Sequence, residues 1–151
     1  GTFLLVLVQH TEADYIIPDF EANWHQANEH CFSIGKRLAI TDSLERHNAV
    51  VNEIKNSPAF NNVSTHIWFG ASDLGKEGTF YWHATGKKVT FINWRWDNPD
   101  NENNVEHCVS LLSVPSEKWD WHANDQSCDR MHHFVCEDFR TLLGIVVPLK
   151  K

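Results

Sequence analysis

Residues 97–108 read Asp-Asn-Pro-Asp-Asn-Glu-Asn-Asn-Val-Glu-His-Cys. Its first ten positions hold four carboxylates (Asp97, Asp100, Glu102, Glu106) and four Asn amides, with no Lys or Arg between Arg95 and Lys118. Carboxylates crowded at short range repel and raise one another's pKa unless a cation intervenes. Asn, Asp and Pro are also ordinary turn residues, so the stretch alone reads first as a solvated turn. A second oxygen-bearing pair, Asn124-Asp125, stands three residues before Cys128 and changes that reading. A disulfide between Cys108 and Cys128 would pin Glu106 and Asn124-Asp125 together. Hard oxygen donors from two segments would then converge, as Ca²⁺ requires; zinc would call for His or Cys.

Outward from this stretch, two helices come first. Phe20, Trp24, Ala27 and Cys31 recur at spacings of four, three and four, predicting a helix over 20–34 that stops at Gly35. Trp24 and Cys31 then share one buried face. A second helix starts at Asp42, where Asp42-x-x-Glu45 reads as a capping box. Leu44, Val50, Val51 and Ile54 form its apolar stripe, and Asn56-Ser57-Pro58 ends it. Residues 66–70, 79–82, 89–94, 107–112 and 132–137 are aromatic or β-branched and read as short strands. Two helices followed by many short strands predict an α+β fold. The polar stretch 97–105 is a long loop inside it, the kind of segment that carries function.

The 151 residues suit one domain, expected over 14–138, with β-prone extensions at 1–13 and 139–151. The apolar runs at 3–8 and 142–149 read as strands that pair with each other or cover a sheet edge, with self-association as homo-oligomers the bolder reading. The run at 3–8 is shorter than a signal-peptide core and lacks a basic flank, so the chain reads as mature or trimmed. No apolar run approaches the ~20 residues of a membrane span, so membrane insertion is not expected. Net charge is −7 and no basic cluster occurs, which argues against nucleic acid as a partner. The four cysteines form no Cys-x-x-Cys zinc pattern; their even number suggests two disulfides, an oxidising compartment and secretion. Three connectivities remain open at this point. The sequon Asn62-Val63-Ser64 agrees with a secretory route and makes Asn62 a glycosylation candidate.

Taken in order, a series of motifs resembles the C-type lectin family over about 125 residues. Trp24, Ala27, Cys31, Gly35 and Leu38-Ala39 look like the family's first helix; Trp68-Phe69-Gly70 looks like its Trp-Ile-Gly core strand. Asn93-Trp94 with a following Pro-containing triplet, Glu106-x-Cys108, Asn124-Asp125-x-x-Cys128 and Phe134-Val135-Cys136-Glu137 complete the series. The resemblance implies the C-type lectin fold with disulfides Cys31–Cys136 and Cys108–Cys128. It implies a Ca²⁺ ion held by Asn98, Asp100, Glu106, Asn124 and Asp125, with a cis bond before Pro99, and no catalytic residues. The ion would contact two neighbouring hydroxyls of a sugar, which Asn98, Asp100, Glu106 and Asn124 would also hydrogen-bond. Asn98-Pro99-Asp100 has the amide-then-carboxylate order of the family's galactose-type Gln-Pro-Asp, with Asn one methylene shorter, so galactose-type glycans are the expected partners. The family further implies roles in recognising microbial or cell-surface glycans, as in innate immunity.

Some family members have an auxiliary calcium site. Asp73 and Glu77 match two of its acids, and Asn101 and His107 stand where Asp is frequent; Asp73, Glu77 and Asn101 are its candidate ligands, while imidazole is not a hard oxygen donor. Trp96, Trp119 and Trp121 flank the ligand segments and are candidates to stack on a sugar's apolar face, whereas Trp24, Trp68 and Trp94 match core positions. Two rival readings are weighed. A lectin-like module that binds a protein rather than sugar would be expected to lack the acidic ligand set. A hydrolase built on the ten histidines, such as His132-His133 or His122 near Asp120 and Asp125, lacks Gly-x-Ser-x-Gly and His-Glu-x-x-His motifs, so no enzyme is expected.

Overall fold

The computed structural model describes residues 14–139; the expected terminal strands at 3–8 and 142–149 lie outside the described residues. The elements in chain order are β1 (Tyr15–Ile16), α1 (Trp24–Ser33), β2 (Lys36–Leu38), α2 (Leu44–Lys55), β3 (Thr65–Ser72), β4 (Tyr81–Trp82), β5 (Cys108–Val114), β6 (Trp119–Gln126), β7 (His133–Phe134) and β8 (Cys136–Asp138). One sheet has the order β1-β8-β2; the other has the order β4-β3-β5-β6, with β7 parallel to β3. The α+β expectation holds.

Helix α1 starts later than its apolar spacing suggests. Asn23 caps it, accepting from Gln26 N at 2.8 Å while Gln26 Oε1 accepts from Asn23 N at 3.3 Å. This reciprocal capping box fixes the start, so Phe20 stays outside and is 46% exposed. Trp24, Ala27 and Cys31 do line the buried face, and Gly35 follows the helix with φ of 74°. At α2 the cap is Ser43, whose Oγ accepts from Arg46 N; Asp42 pairs instead with the Arg46 side chain at 2.9 Å. The expected Asp42–Glu45 box therefore does not form, and a single Ser43 cap stands one residue later. Leu44 consequently falls at the first helical position and is 59% exposed, leaving Val50, Val51 and Ile54 to face the core.

Trp24 Nε1 donates to Phe69 O at 3.0 Å, and Trp68 Nε1 is shared by Ala22 O and Arg130 O at 3.1 Å each. These bonds satisfy the only polar atom of each buried indole. At Gly70 a Cβ would stand 3.0 Å from Leu38 O and 3.2 Å from Ala39 O, so only glycine lets β3 approach this backbone. The disulfides are Cys31–Cys136, joining α1 to β8, and Cys108–Cys128, bracketing β5 and β6. Glu137, 2% exposed, binds Arg37 at 3.0 Å and accepts from Ile40 N at 2.9 Å. Its burial is thus compensated by a hydrogen-bonded partner.

The segment 89–94 forms no strand; it makes only an isolated bridge, Trp94 to Ala123. Conversely, 119–126 is a full strand, with Trp119, Trp121, Ala123 and Asp125 buried on alternate positions. That alternation places Asp125 on the inward face at the end of β6.

Candidate functional site

The site grows from the β5–β6 pair. Antiparallel register sets Cys108 opposite Gln126, Val109 opposite Asp125 and Ser110 opposite Asn124. His107 N donates to Gln126 O at 3.1 Å, so the ladder runs up to the residue after Glu106. The loop between β4 and β5 is clamped at its base: Ala123 N donates to Asn93 O at 2.8 Å and Asn93 Nδ2 to Trp121 O at 3.1 Å. Trp94 packs edge-on against Phe80 at 5.1 Å, anchoring the clamp to the core.

Beyond Trp94 the loop is shaped by its own polar groups. Asp125 is 1% exposed, and its two carboxylate oxygens accept from Asp100 N at 3.0 Å and Asn101 N at 2.7 Å. Asn101 Oδ1 accepts from Glu106 N at 3.1 Å, and Glu106 Oε1 accepts from Glu102 N at 3.0 Å. Asn101, Asn103 and Asn104 all have positive φ, between 44° and 59°. Asn tolerates this left-handed region better than other residues bearing a Cβ, which is why the loop is rich in it. The Asn98–Pro99 bond is cis.

Charge is concentrated and only partly neutralised. Arg95, the one Lys or Arg between Trp94 and Cys108, is committed to Asp97 through two bonds of 2.6 and 2.7 Å and lies 3.5 Å over the Trp119 ring. It holds the Asp97 carboxyl below the usual carboxylate range. Oxygens of Asp100, Glu102 and Glu106 lie within 4.8 Å of one another, without such a partner. Burial, then hydrogen bonding to Asp100, then the neighbouring charges push Glu106 up to about 7, and burial also raises Asp125. Asn98 donates to Asp97 at 3.1 Å, yet its buried Oδ1 has no hydrogen-bond partner. An orphaned amide oxygen two residues from clustered carboxylates is the kind of donor chemistry that a hard divalent cation could take.

Of the residues read from the sequence, Asp100, Glu106 and Asp125 are brought together, with Asn98 at the loop's start and Asn124, half-buried, next to Asp125. Glu102 belongs to the cluster and was not singled out; its place among the loop carboxylates was the available signal. The auxiliary set is rearranged. Asn101 is committed to Glu106 N, and His107 joins Asp73 and Glu77 instead, its Nδ1 lying 3.0 and 3.1 Å from their oxygens. Two of the stacking candidates are enclosed: Trp119 is 8% and Trp121 6% exposed, because both fall on the inward face of β6. Arg95 covers Trp119 and Phe60 stacks near Trp121 at 6.1 Å, whereas Trp96 is 92% exposed. Asn62 is exposed.

Among the described residues, the histidines form no acid–base pair with a nucleophile. His122 Nδ1 accepts from Asp120 N at 3.0 Å, and His132 shares a 2.6 Å bond with Gln126 while stacking 5.0 Å from His66. Burial drives His132 down to about 4, so it is a neutral packing group at neutral pH.

Residues 21–138 match the lectin C-type domain. The chain belongs to the C-type lectin family. It is 42% identical over 123 residues to salivary C-type lectin 1 of Aedes albopictus and to C-type lectin 16 of Aedes aegypti, covering 82% of this chain and 80% of each relative. Among solved structures it resembles the mouse scavenger receptor C-type lectin carbohydrate-recognition domain, with a TM-score of 0.70 at 24% identity, covering 91% of this chain and 94% of that one. The lectin CEL-I of Cucumaria echinata gives a TM-score of 0.70 at 23% identity, covering 84% of this chain and 90% of that one. At those identities the structural likeness speaks for the fold. As a member of a lectin family, this chain is not an enzyme.

The elevated Glu106 sets a pH dependence. Without metal, the folded chain holds a proton there between its ordinary 4.5 and about 7, where the unfolded chain does not. That proton's stabilisation is complete below about 4.5 and is lost as pH rises through about 7. Cation binding has the opposite sign, since the carboxylate must be deprotonated. Calcium affinity is expected to fall by up to about tenfold per pH unit below about 7 and to level off above it. Calorimetric titrations from about pH 7.5 to about pH 5.5 on the wild type and Glu106→Gln check this: the variant's profile should be flat across the window.

Proposed function

We propose that this chain is a secreted, calcium-dependent carbohydrate-binding domain that takes galactose-type terminal sugars. The observation that carries the reading is the group of Asp100, Glu102 and Glu106 oxygens within 4.8 Å, while the nearest cation in sequence, Arg95, is committed to Asp97. Asn98, Asp100, Glu106, Asn124 and Asp125 would hold Ca²⁺. Calcium, when bound there, supplies open coordination positions to two neighbouring hydroxyls of a sugar.

The protein's own groups do the rest. Asp125 fixes the loop by accepting two backbone N–H groups, so the donor atoms are positioned by the fold. Each sugar hydroxyl can donate to a carboxylate and accept from an amide, so the order of Asn98 and Asp100 sets the polarity of the hydrogen-bond ring. Amide first and carboxylate second supports the galactose-type assignment, by the family's pattern. Trp96, exposed beside the loop, offers a flat apolar face to the sugar ring. Such a shallow site buries little surface, so affinity for one sugar should be about millimolar, and useful avidity then needs multivalent presentation. Two disulfides, an exposed sequon at Asn62 and the salivary lectin named among the relatives support an extracellular setting.

A glycan array run with calcium and with chelator tests the assignment. Binding to terminal galactose-type sugars with calcium, abolished by chelator, is the expected result. The double variant Asn98→Glu with Asp100→Asn should move preference toward mannose, and Trp96→Ala should weaken galactose binding while calcium affinity stays constant. Retained galactose preference in the double variant would show that the triplet does not choose the sugar. No calcium-dependent glycan signal, with no calcium-induced rise in Tm, would favour a protein-binding module.

A further inference from the structure

Next to the calcium loop, and separate from its donors, lies a second cluster of different chemistry. Asp73 follows β3, Glu77 lies in the turn after it, and His107 immediately precedes β5. We propose that these three residues form a binding site for a divalent transition ion of the zinc class, in place of a second calcium ion.

The donor set is the first argument. Calcium takes six to eight oxygen ligands, whereas zinc accepts imidazole and carboxylate and is content with three protein ligands and a water. Here one imidazole nitrogen and two carboxylates converge. The nearby amide that could add an oxygen, Asn101, is committed to Glu106 N. The second oxygen of Asp73 is likewise committed, accepting from Gly78 N at 2.9 Å. Three protein donors therefore face a side left open by Glu77, whose side chain is 53% exposed, and by His107 at 31%.

Spacing is the second argument. Bonds of about 2.0–2.1 Å to a tetrahedral ion put the ligand atoms about 3.3 Å apart. His107 Nδ1 lies 3.0 Å from Asp73 Oδ1 and 3.1 Å from Glu77 Oε2, within a few tenths of an ångström of that edge length. Support from the surroundings is the third. Asp73 is 2% exposed, a buried carboxylate on a fixed backbone, and its N–H donates to His107 O at 3.0 Å. The two ligand-bearing segments are thus joined to each other as well as to the cation's position, the arrangement by which outer contacts orient metal ligands.

The test titrates the full chain, freed of metal, with Zn²⁺ alone by calorimetry and with Co²⁺ by visible absorption. Wild type, His107→Ala, His107→Asp and Glu77→Ala are compared, so zinc held by other surface histidines cancels. Glu77 is exposed, so that variant keeps the fold. One Zn²⁺ site and a set of Co²⁺ d–d bands should be present in the wild type and lost in His107→Ala and Glu77→Ala. The loss should exceed the roughly tenfold to hundredfold that outer-shell changes cause. His107→Asp, with oxygen donors only, should exchange zinc binding for one more calcium per chain than the wild type. If His107 serves only as a cationic partner for the two acids, Zn²⁺ isotherms will coincide in wild type, His107→Ala and Glu77→Ala, and the proposal is overturned. Because the readout is zinc, a failed calcium assignment at the neighbouring loop would leave this result unaffected.

Discussion

Asp125→Ala is expected to lose calcium affinity by about a hundredfold or more and about 2 kcal/mol of stability in the same variant. Two roles meet in one carboxylate. Its oxygens accept from Asp100 N and Asn101 N, stitching the loop to the end of β6, and burial keeps it at 1% exposure. Removing it orphans two backbone donors and takes a charged ligand from the proposed cation site. Asp125→Asn separates these roles. The amide retains one acceptor and similar volume, so most of the stability should remain. Burial raises the Asp125 pKa, the direction that favours a neutral side chain there in the metal-free fold. Calcium affinity should nevertheless fall nearly as far as in the alanine variant. Thermal melts without metal and calcium calorimetry, run on both variants, decide the matter. An Asn variant with wild-type calcium affinity would remove Asp125 from the ligand set.

Opening Cys31–Cys136 should have the larger effect on the fold, about 4–5 kcal/mol by loop-closure entropy for its separation of 105 residues. A domain of this size commonly has about 5–15 kcal/mol in total, so Cys31→Ala with Cys136→Ala is expected to sit near its unfolding transition. Both sulfurs are fully buried between α1 and β8, so the variant also leaves underpacked space. Cys108–Cys128 spans only 20 residues, for which the same reasoning gives about 3 kcal/mol. Urea unfolding of the two cysteine-pair variants should therefore rank them in that order. The smaller loop carries the functional penalty, because it holds the start of β5 beside the end of β6. Calcium binding should weaken in the Cys108/Cys128 variant even where the fold is populated.

The comparison with the sequence turns on where side-chain chemistry is local and where it depends on neighbours. Helix α1 was legible through the spacing of Trp24, Ala27 and Cys31, and the loop through its density of carboxylates, because both signals lie within a few consecutive residues. The start of α1 was missed because Asn23 and Gln26 cap each other, which outweighs the apolar periodicity reaching back to Phe20. Strand β6 was legible in principle: Trp119, Trp121, Ala123 and Asp125 alternate with polar residues. That stretch was read only for its Asn124-Asp125 pair and for indoles flanking the ligand segments, which left the alternation, and with it the burial of both indoles, unread. The nearness of His107 to Asp73 and Glu77 entered the sequence reading only through the family resemblance, since it depends on β5 starting beside the end of β3. The structure adds a bracing role for Asn101, whose amide oxygen accepts from Glu106 N, a contact that sequence spacing does not reveal.

The pairing of β1 with β8 has a mechanical consequence. Tyr15 lies opposite Glu137 and Ile16 opposite Cys136, antiparallel, so both ends of the domain leave from one edge. A pull on the two ends would peel this ladder apart one pair at a time, the weak direction for an antiparallel pair. The peeling then meets the covalent link between residues 31 and 136, and every element from β2 to β7 lies inside that link. A tethered molecule under shear can therefore yield at its hem and still keep its grip on whatever it has caught.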